Sequence, residues 1–188
     1  MGIVVVIVVV VVLVLVFVAL YNKLVRLRNR TDEAWAQIDV QLRRRYDLIP
    51  NLVETVKGYA AHERQTLEAV TQARGAAQSL NASGGTPGQI AQAEGTLTQA
   101  LRGLLAVSEA YPDLKANQNF LALQEELTGT ENKISFARQH YNDSVRALNT
   151  AVETIPTSFV APLAHATKRE YFEIEGGDAA RNPVQVQF

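Results

Sequence analysis

The stretch Gln41-Leu-Arg-Arg-Arg-Tyr-Asp-Leu-Ile-Pro-Asn-Leu52 lies at the centre of the pattern that decides the fold. Around it, apolar or aromatic residues recur every three or four positions, which is the spacing of one face of an α-helix. These residues are Trp35, Ile38, Leu42, Tyr46, Ile49, Val53, Val56 and Ala60. The pattern crosses Pro50 in phase, although an interior proline costs about 3 kcal/mol in an isolated helix. Residues 34–80 are therefore predicted to form one long amphipathic helix that is kinked at Pro50, or two helices if the chain breaks there.

An uninterrupted apolar run precedes this helix. Residues 3–20 are eighteen apolar residues, eleven of them valine. As a helix they would be about 27 Å long, close to the thickness of a bilayer core of about 30 Å. The charged leader and small-residue exit of a cleavable signal peptide are absent. After a two-residue N-terminus (1–2), residues 3–20 are therefore predicted to be a transmembrane helix.

A basic neck, defined as residues 21–33, follows the apolar run. Its cations are Lys23, Arg26, Arg28 and Arg30, and no acid occurs between Tyr21 and Arg30. Cations on this side predict a single-pass protein of the cell membrane with its N-terminus outside and its body in the cytoplasm. The same cations either only set this orientation or also bind anionic headgroups of the lipid bilayer.

The chain from Thr31 onward is acidic. It contains 14 of the 18 Lys and Arg residues, because the other four precede Thr31, and all 19 Asp and Glu residues. The resulting charge of −5 argues against nucleic acid as a partner. Since the chain has no cysteine, disulfides and thiolate metal sites are excluded.

The densest basic motif is the triplet Arg43-Arg44-Arg45. Asp39 and Asp47 stand four residues on either side of Arg43, the spacing of helical ion pairs. The triplet lies about 35 Å along a helix from Tyr21, too far to bind headgroups. We predict that this face contacts a neighbouring helix or a second copy of the chain. Its interface residues are Asp39, Arg43, Arg44, Arg45, Asp47, Asn51 and Glu54.

Two further helices are predicted. Thr86 and Pro87 begin the second after a loop at residues 81–88, and Pro112 ends it. Asn117 caps the third and Pro156 closes it, with a weak point at Gly129. In the third helix, apolar residues recur every seven positions, which indicates coiled-coil-like packing. They are Phe120, Leu127, Ile134, Tyr141, Leu148 and Ile155.

The predicted fold is all-α: the transmembrane helix is followed by an elongated antiparallel bundle of three long helices, residues 34–158. Because these helices differ in length, an apolar stripe would stay uncovered at one end, which favours an interface. In the tail, residues 159–188, the apolar residues Phe159, Val160 and Leu163 are expected to cover one bundle end, as are Tyr171 and Phe172. Alternating apolar and polar residues at 183–188 indicate a strand that pairs with another chain, or a disordered end. The apolar members of this alternation are Val184, Val186 and Phe188.

Several of these segments resemble the bacterial LemA family. They are the transmembrane run, Tyr21-Asn22, the block Ile38–Val53, Val56–Tyr59, Tyr141-Asn142 and Tyr171–Glu173. The resemblance implies an N-terminal membrane anchor and a long helical bundle, and it implies no established activity. The family's association with membrane-protease and envelope-maintenance genes suggests a scaffold.

No catalytic motif accompanies these features. The loop at Gly84-Gly85 lacks the Lys-Ser/Thr of a phosphate-binding loop. His62-Glu63 lacks the second histidine of a zinc protease, and no Glu-x-x-His pair of a di-iron bundle occurs. We therefore expect no catalytic residues, no cofactor and no metal. The expected function is a non-enzymatic, self-associating scaffold of the cell envelope; the alternative is an adaptor or regulator of a membrane enzyme, such as an envelope protease, with a membrane protein as partner.

Overall fold

The computed structural model of the protein describes residues 1–173, which contain helices and no strand. This confirms the all-α prediction for the described part of the chain. The strand predicted at 183–188 lies outside the described residues. The helices are α1 Gly2–Lys57, α2 Arg64–Ala82, α3 Pro87–Ser108, α4 Pro112–Lys115, α5 Gln118–Glu153 and α6 Thr157–Val160.

Helix α1 is 56 residues long and continues through Pro50. It contains both the apolar run and the amphipathic stretch around residues 41–52, with no loop between them. Its length and composition over the apolar run suffice to cross a membrane. The predicted continuity across Pro50 is confirmed, and the Pro50 side chain is exposed.

The predicted extension of this helix to Leu80 is wrong. Helix α1 ends at Lys57, and residues 58–63 connect it to α2. Gly58 and the preceding Lys57 are end signals of a helix. The Ala60 N–H still bonds to the Val56 carbonyl at 2.8 Å, so Ala60 stays buried and in phase. The stripe therefore looks continuous in the sequence although the helix has ended.

This break changes the helix lengths from which an uncovered apolar stripe was predicted. Helix α2 is separate from α1 and packs against α3. The helix predicted over residues 34–80 is therefore divided between the end of α1 and α2.

The described chain forms two compact units, and α1 and α5 contribute to both. The first unit comprises residues 1–37 and 139–171. Its two long helices are antiparallel: the Trp35 and Tyr141 ring centroids lie 5.2 Å apart, while Leu24 packs with the later residue Leu148. The rest of the buried core around Leu24 is Ala151, Val160, Ala161, Ala164 and Ala166.

The second unit comprises residues 38–138 and, among the described residues, 172–173. Asn117 Nδ2 donates to the Tyr59 hydroxyl at 2.9 Å, and Arg45 Nε lies 2.8 Å from Glu131 Oε1. Fourteen residues separate Arg45 from Tyr59, and fourteen separate Asn117 from Glu131. Helices α1 and α5 therefore run antiparallel in this unit too, in a constant register.

The predicted helix starts are confirmed by their caps. Thr86 Oγ1 accepts from Gln89 N while the Gln89 side chain accepts from Thr86 N, which is a capping box. Asn117 Oδ1 accepts from Phe120 N at 3.0 Å. Helix α3 ends at Ser108, a few residues before Pro112, and α5 passes Gly129 without a break.

The heptad prediction for α5 is right up to its last member. Phe120, Leu127, Ile134, Tyr141 and Leu148 are buried. Ile155 lies beyond the end of α5 at Glu153, and 77% of it is exposed. The expectation that Phe159, Leu163 and Tyr171 cover a bundle end is also wrong, because these side chains are exposed. Val160 and Phe172 are buried as expected.

Candidate functional sites

A buried charged cluster in the second unit is centred on Arg45. This residue follows Leu42 by three positions, so α1 presents it on the same side as the apolar stripe. Its Nη1 donates to Glu94 Oε2 at 2.6 Å and its Nη2 donates to Thr98 Oγ1 at 2.8 Å. Its Nε forms an ion pair with Glu131 that is too bent for a hydrogen bond. The planar guanidinium fork thus joins α1 to α3 and α5.

Tyr46 and Glu94 complete the cluster. The Tyr46 hydroxyl donates to Glu94 Oε1, so both carboxylate oxygens of Glu94 accept a hydrogen bond. Burial raises the pKa of Glu94, although the Arg45 guanidinium and the Tyr46 hydroxyl oppose this shift. Burial, with the negative charge of Glu94, raises the pKa of Tyr46 far above its ordinary value. Tyr46 therefore remains a protonated donor at neutral pH.

The cluster holds helices together and offers no open reaction site. Only 1% of the Arg45 side chain and 0% of the Glu94 side chain reach solvent. Arg74 Nε donates to the Tyr46 carbonyl at 2.6 Å, which adds α2 to the three helices already joined. An arginine and a glutamate buried in this way stabilise one arrangement of helices, because losing either partner leaves an unpaired buried charge.

The two other arginines of the triplet also pair within the chain. Arg44 Nη2 lies 2.7 Å from Glu126 Oε1, and Arg43 Nη2 lies 2.8 Å from Asp39 Oδ2. The Arg43–Asp39 pair was predicted. Arg44 and Arg45 thus find acidic partners on α3 and α5 of the same chain, namely Glu94, Glu126 and Glu131. The sequence alone does not show that these helices bring the three acids to α1.

The other predicted interface residues lie on the surface of the second unit. Asp47, Asn51 and Glu54 are exposed, and Glu54 pairs with Lys57 at 3.3 Å. Their role in an interface stays a prediction. Val184, Val186 and Phe188 lie outside the described residues.

The neck belongs to the first unit, where one of its four cations differs from the others. Arg28 is partly buried, and its Nη1 donates to the Ala164 carbonyl at 3.0 Å. Lys23, Arg26 and Arg30 are exposed. Arg28 therefore fixes the segment after α6 to α1, while the other three face solvent.

Comparison with known proteins decides the family. The LemA family model matches residues 34–188. The chain belongs to the LemA family. This confirms the resemblance seen in the sequence, and the apolar run lies outside the matched residues.

Curated relatives of this LemA-family chain are similar over most of its length. Protein LemA of Metamycoplasma hominis is 27% identical over 146 residues, which cover 77% of this chain and 65% of that protein. Magnetosome protein MamQ of Magnetospirillum gryphiswaldense is 24% identical over 181 residues, covering 84% of this chain and 66% of that protein. The chain thus spans just under two thirds of the length of these relatives. Neither name denotes an enzyme.

The second unit of this LemA-family chain also carries a groove of about 700 Å³ between the end of α1 and the start of α2. Its apolar lining includes Val53 and Leu67. Charged residues of both signs surround these residues: Glu54, Lys57, Arg64 and Glu68. The groove was not predicted, because the chain reversal that creates it was read as continuous helix.

Sequence reasoning also missed Glu94, although the sequence contains a signal for it. Glu94 stands four residues after Ile90 and three before Leu97, so it occupies a position on the apolar face of α3. A single acid on an apolar face calls for a buried cation. Within residues 1–173, no group of three His, Cys, Asp or Glu residues could hold a metal ion.

Proposed function

We propose that this LemA-family protein is a membrane-anchored, non-enzymatic scaffold of the bacterial cell envelope that associates with copies of itself. The observation that carries the proposal is α1, in which the apolar run and the start of the bundle form one helix of 56 residues. A chain with this helix fits a single-pass membrane protein. The basic neck supports an N-terminus outside the cell and a bundle in the cytoplasm.

Support for self-association comes from exposed apolar residues of the second unit. Phe136 on α5 is 74% exposed and Val40 on α1 is also exposed. Arg45 pairs with Glu131 across the two antiparallel helices. Val40 lies five residues before Arg45 and Phe136 lies five residues after Glu131, so Val40 and Phe136 are at the same level along these helices. Large apolar side chains left in water favour an interface. This surface replaces the arginine triplet as the argument for a second copy.

Cross-linking in native membranes tests the proposal. The chain has no cysteine, so Phe136→Cys creates a single thiol. A short bis-maleimide should give a product of twice the chain mass at this position. Ser83→Cys, exposed in the loop between α2 and α3, is the matched control. Equal and low cross-linking at both positions would overturn self-association through this surface.

The alternative function, an adaptor of a membrane enzyme such as an envelope protease, is favoured by the groove between α1 and α2. Its apolar lining and mixed charges suit a segment of another membrane protein. A cysteine at Glu68 should then cross-link to a protein of different mass, whereas the scaffold hypothesis predicts no such product.

A further inference from the structure

The chain reverses direction after α5 through a corner, defined as residues 154–167, that contains no Asp, Glu, Lys or Arg. Part of the corner is buried: Val160, Ala161 and Ala164 pack around Leu24 of α1. Its largest apolar side chains point away from this core. Ile155 is 77% exposed and Phe159 is 73% exposed.

The contacts of the first unit fix the position of the corner along α1. Trp35 contacts Tyr141. Tyr21 lies fourteen residues before Trp35, and Ile155 lies fourteen residues after Tyr141 in the antiparallel direction. Ile155 is therefore level with Tyr21, the first residue after the apolar run. Leu20, the last residue of that run, packs against the same core as the corner.

The other side of the corner lies farther from the apolar run. The Ala164 carbonyl accepts from Arg28, which is eight residues or about 12 Å beyond Leu20. Next, Arg169 Nη2 lies 2.9 Å from Asp32 Oδ1, farther still along α1. The chain thus runs toward the apolar run as far as Ile155 and Phe159, and then runs back along α1. These two side chains therefore belong to the part of the corner nearest the apolar run.

We propose that the corner inserts Ile155 and Phe159 into the interfacial layer of the bilayer that α1 spans. The inference rests on the membrane anchor of the proposed function and adds a second lipid contact to it. Leu163, next to Ala164, lies at the level of the headgroups.

Three observations favour lipid over a second copy as the occupant. The buried core beneath the corner reaches the membrane-spanning run, because Leu20 packs against it. The corner contains no Asp, Glu, Lys or Arg, whose charges would have to be desolvated on insertion. The exposed neck cations Lys23, Arg26 and Arg30 lie within about 15 Å of the end of the apolar run along α1, where cations can bind anionic headgroups, and an aromatic side chain such as Phe159 suits the interfacial layer.

Fluorescence quenching by lipid tests this contact in the full-length protein. Ile155→Cys and Phe159→Cys each carry one environment-sensitive fluorophore, and the protein is placed in phosphatidylcholine–phosphatidylglycerol vesicles with a doxyl quencher high on the acyl chain. Leu121→Cys is the matched control, because Leu121 is also an exposed apolar residue but lies thirty-two residues before the end of α5. Because the replaced side chains are exposed, the labelled variants should melt like the unmodified protein.

The expected result is severalfold stronger quenching at positions 155 and 159 than at position 121. Equal quenching at all three positions would overturn the inference. A fluorophore at Val12→Cys, within the apolar run, distinguishes failure of the corner contact from failure of the membrane anchor. Strong quenching at 12 with none at 155 and 159 rejects the corner contact alone, and no quenching at 12 rejects the anchor and the inference with it.

Discussion

Arg43 and Arg45 are two positions apart and have opposite surroundings. The Arg43 side chain is 71% exposed and pairs with Asp39 one turn away, in water. Arg45 is buried and pairs with residues on two other helices. Sequence reasoning treated the triplet as one face because charges normally face solvent. A helix turns by about 100° per residue, so Arg43 and Arg45, two positions apart, point about 200° away from each other.

Substitutions of Arg43 and Arg45 should have different effects on the free energy of unfolding. Arg45→Met is expected to lower the free energy of unfolding by about 3–5 kcal/mol, because Glu94 would stay buried without its cation. Arg43→Ala should change it by less than about 1 kcal/mol, as for other exposed pairs. Urea unfolding of the detergent-extracted protein measures both. Equal effects of the two changes would contradict the buried cluster.

Alkaline pH should weaken the fold through buried tyrosines. Burial raises the pKa of Tyr141 from 10.0 to about 12, and its hydroxyl donates to the Glu170 carbonyl at 2.9 Å. Between these pH values the unfolded chain loses the Tyr141 proton while the folded chain keeps it, so stability falls as pH rises. The expected loss is about 1.4 kcal/mol per pH unit for this group.

The variant Tyr141→Phe isolates this contribution. Its stability should fall less steeply than that of the unmodified protein between pH 10 and 12, whereas below pH 9 the difference between the two proteins should be constant. Parallel stability curves throughout the alkaline range would show that Tyr141 does not hold its proton on folding.

Among the helices, those with strong local signals were predictable. The Thr86 cap, the Asn117 cap and the heptad of α5 each depend on neighbouring residues, and the structure contains all three. The break at residues 58–63 was missed because periodicity reports which side chains are buried and does not report chain direction. Ala60 is buried both in a continuing helix and in the turn that replaces it. The sequence contains a signal that Glu94 is buried, but its pairing with Arg45 depends on how separate helices pack.

Core positions of α5 should be sensitive to truncation. Leu148→Ala and Leu127→Ala are each expected to cost about 2–5 kcal/mol, because both side chains are buried. Leu121→Ala, at an exposed position of the same helix, should stay within about 0.5 kcal/mol. Thermal or urea unfolding of the three variants measures these differences. A melt of Leu148→Ala that matches that of Leu121→Ala would count against the heptad core.

At the scale of the whole molecule, the sequence predicted the anchor directly, because eighteen consecutive apolar residues have few other uses in a protein. The prediction of membrane orientation rests only on the neck cations. A prediction of assembly needs the exposed surfaces, which are known only once the packing of the helices is known. Phe136 is an example: it is one of six phenylalanines, and nothing in the sequence indicates that its side chain is exposed.

Orientation can be tested at Ser83, which is exposed between α2 and α3. With the body in the cytoplasm, Ser83→Cys should resist a membrane-impermeant maleimide in intact cells and react once the cells are permeabilised. The exposed position ensures that a lack of reaction reflects the membrane barrier. Labelling in intact cells would place the body outside and reverse the predicted topology.

Self-association of the anchored bundle can be measured as the protein mass of the detergent-extracted particle by light scattering, corrected for detergent, over a series of concentrations. We expect a multiple of the 20.6 kDa chain mass. In Phe136→Ser this mass should fall toward that of one chain, with helical content unchanged. A single-chain mass for the unmodified protein at every concentration would contradict self-association.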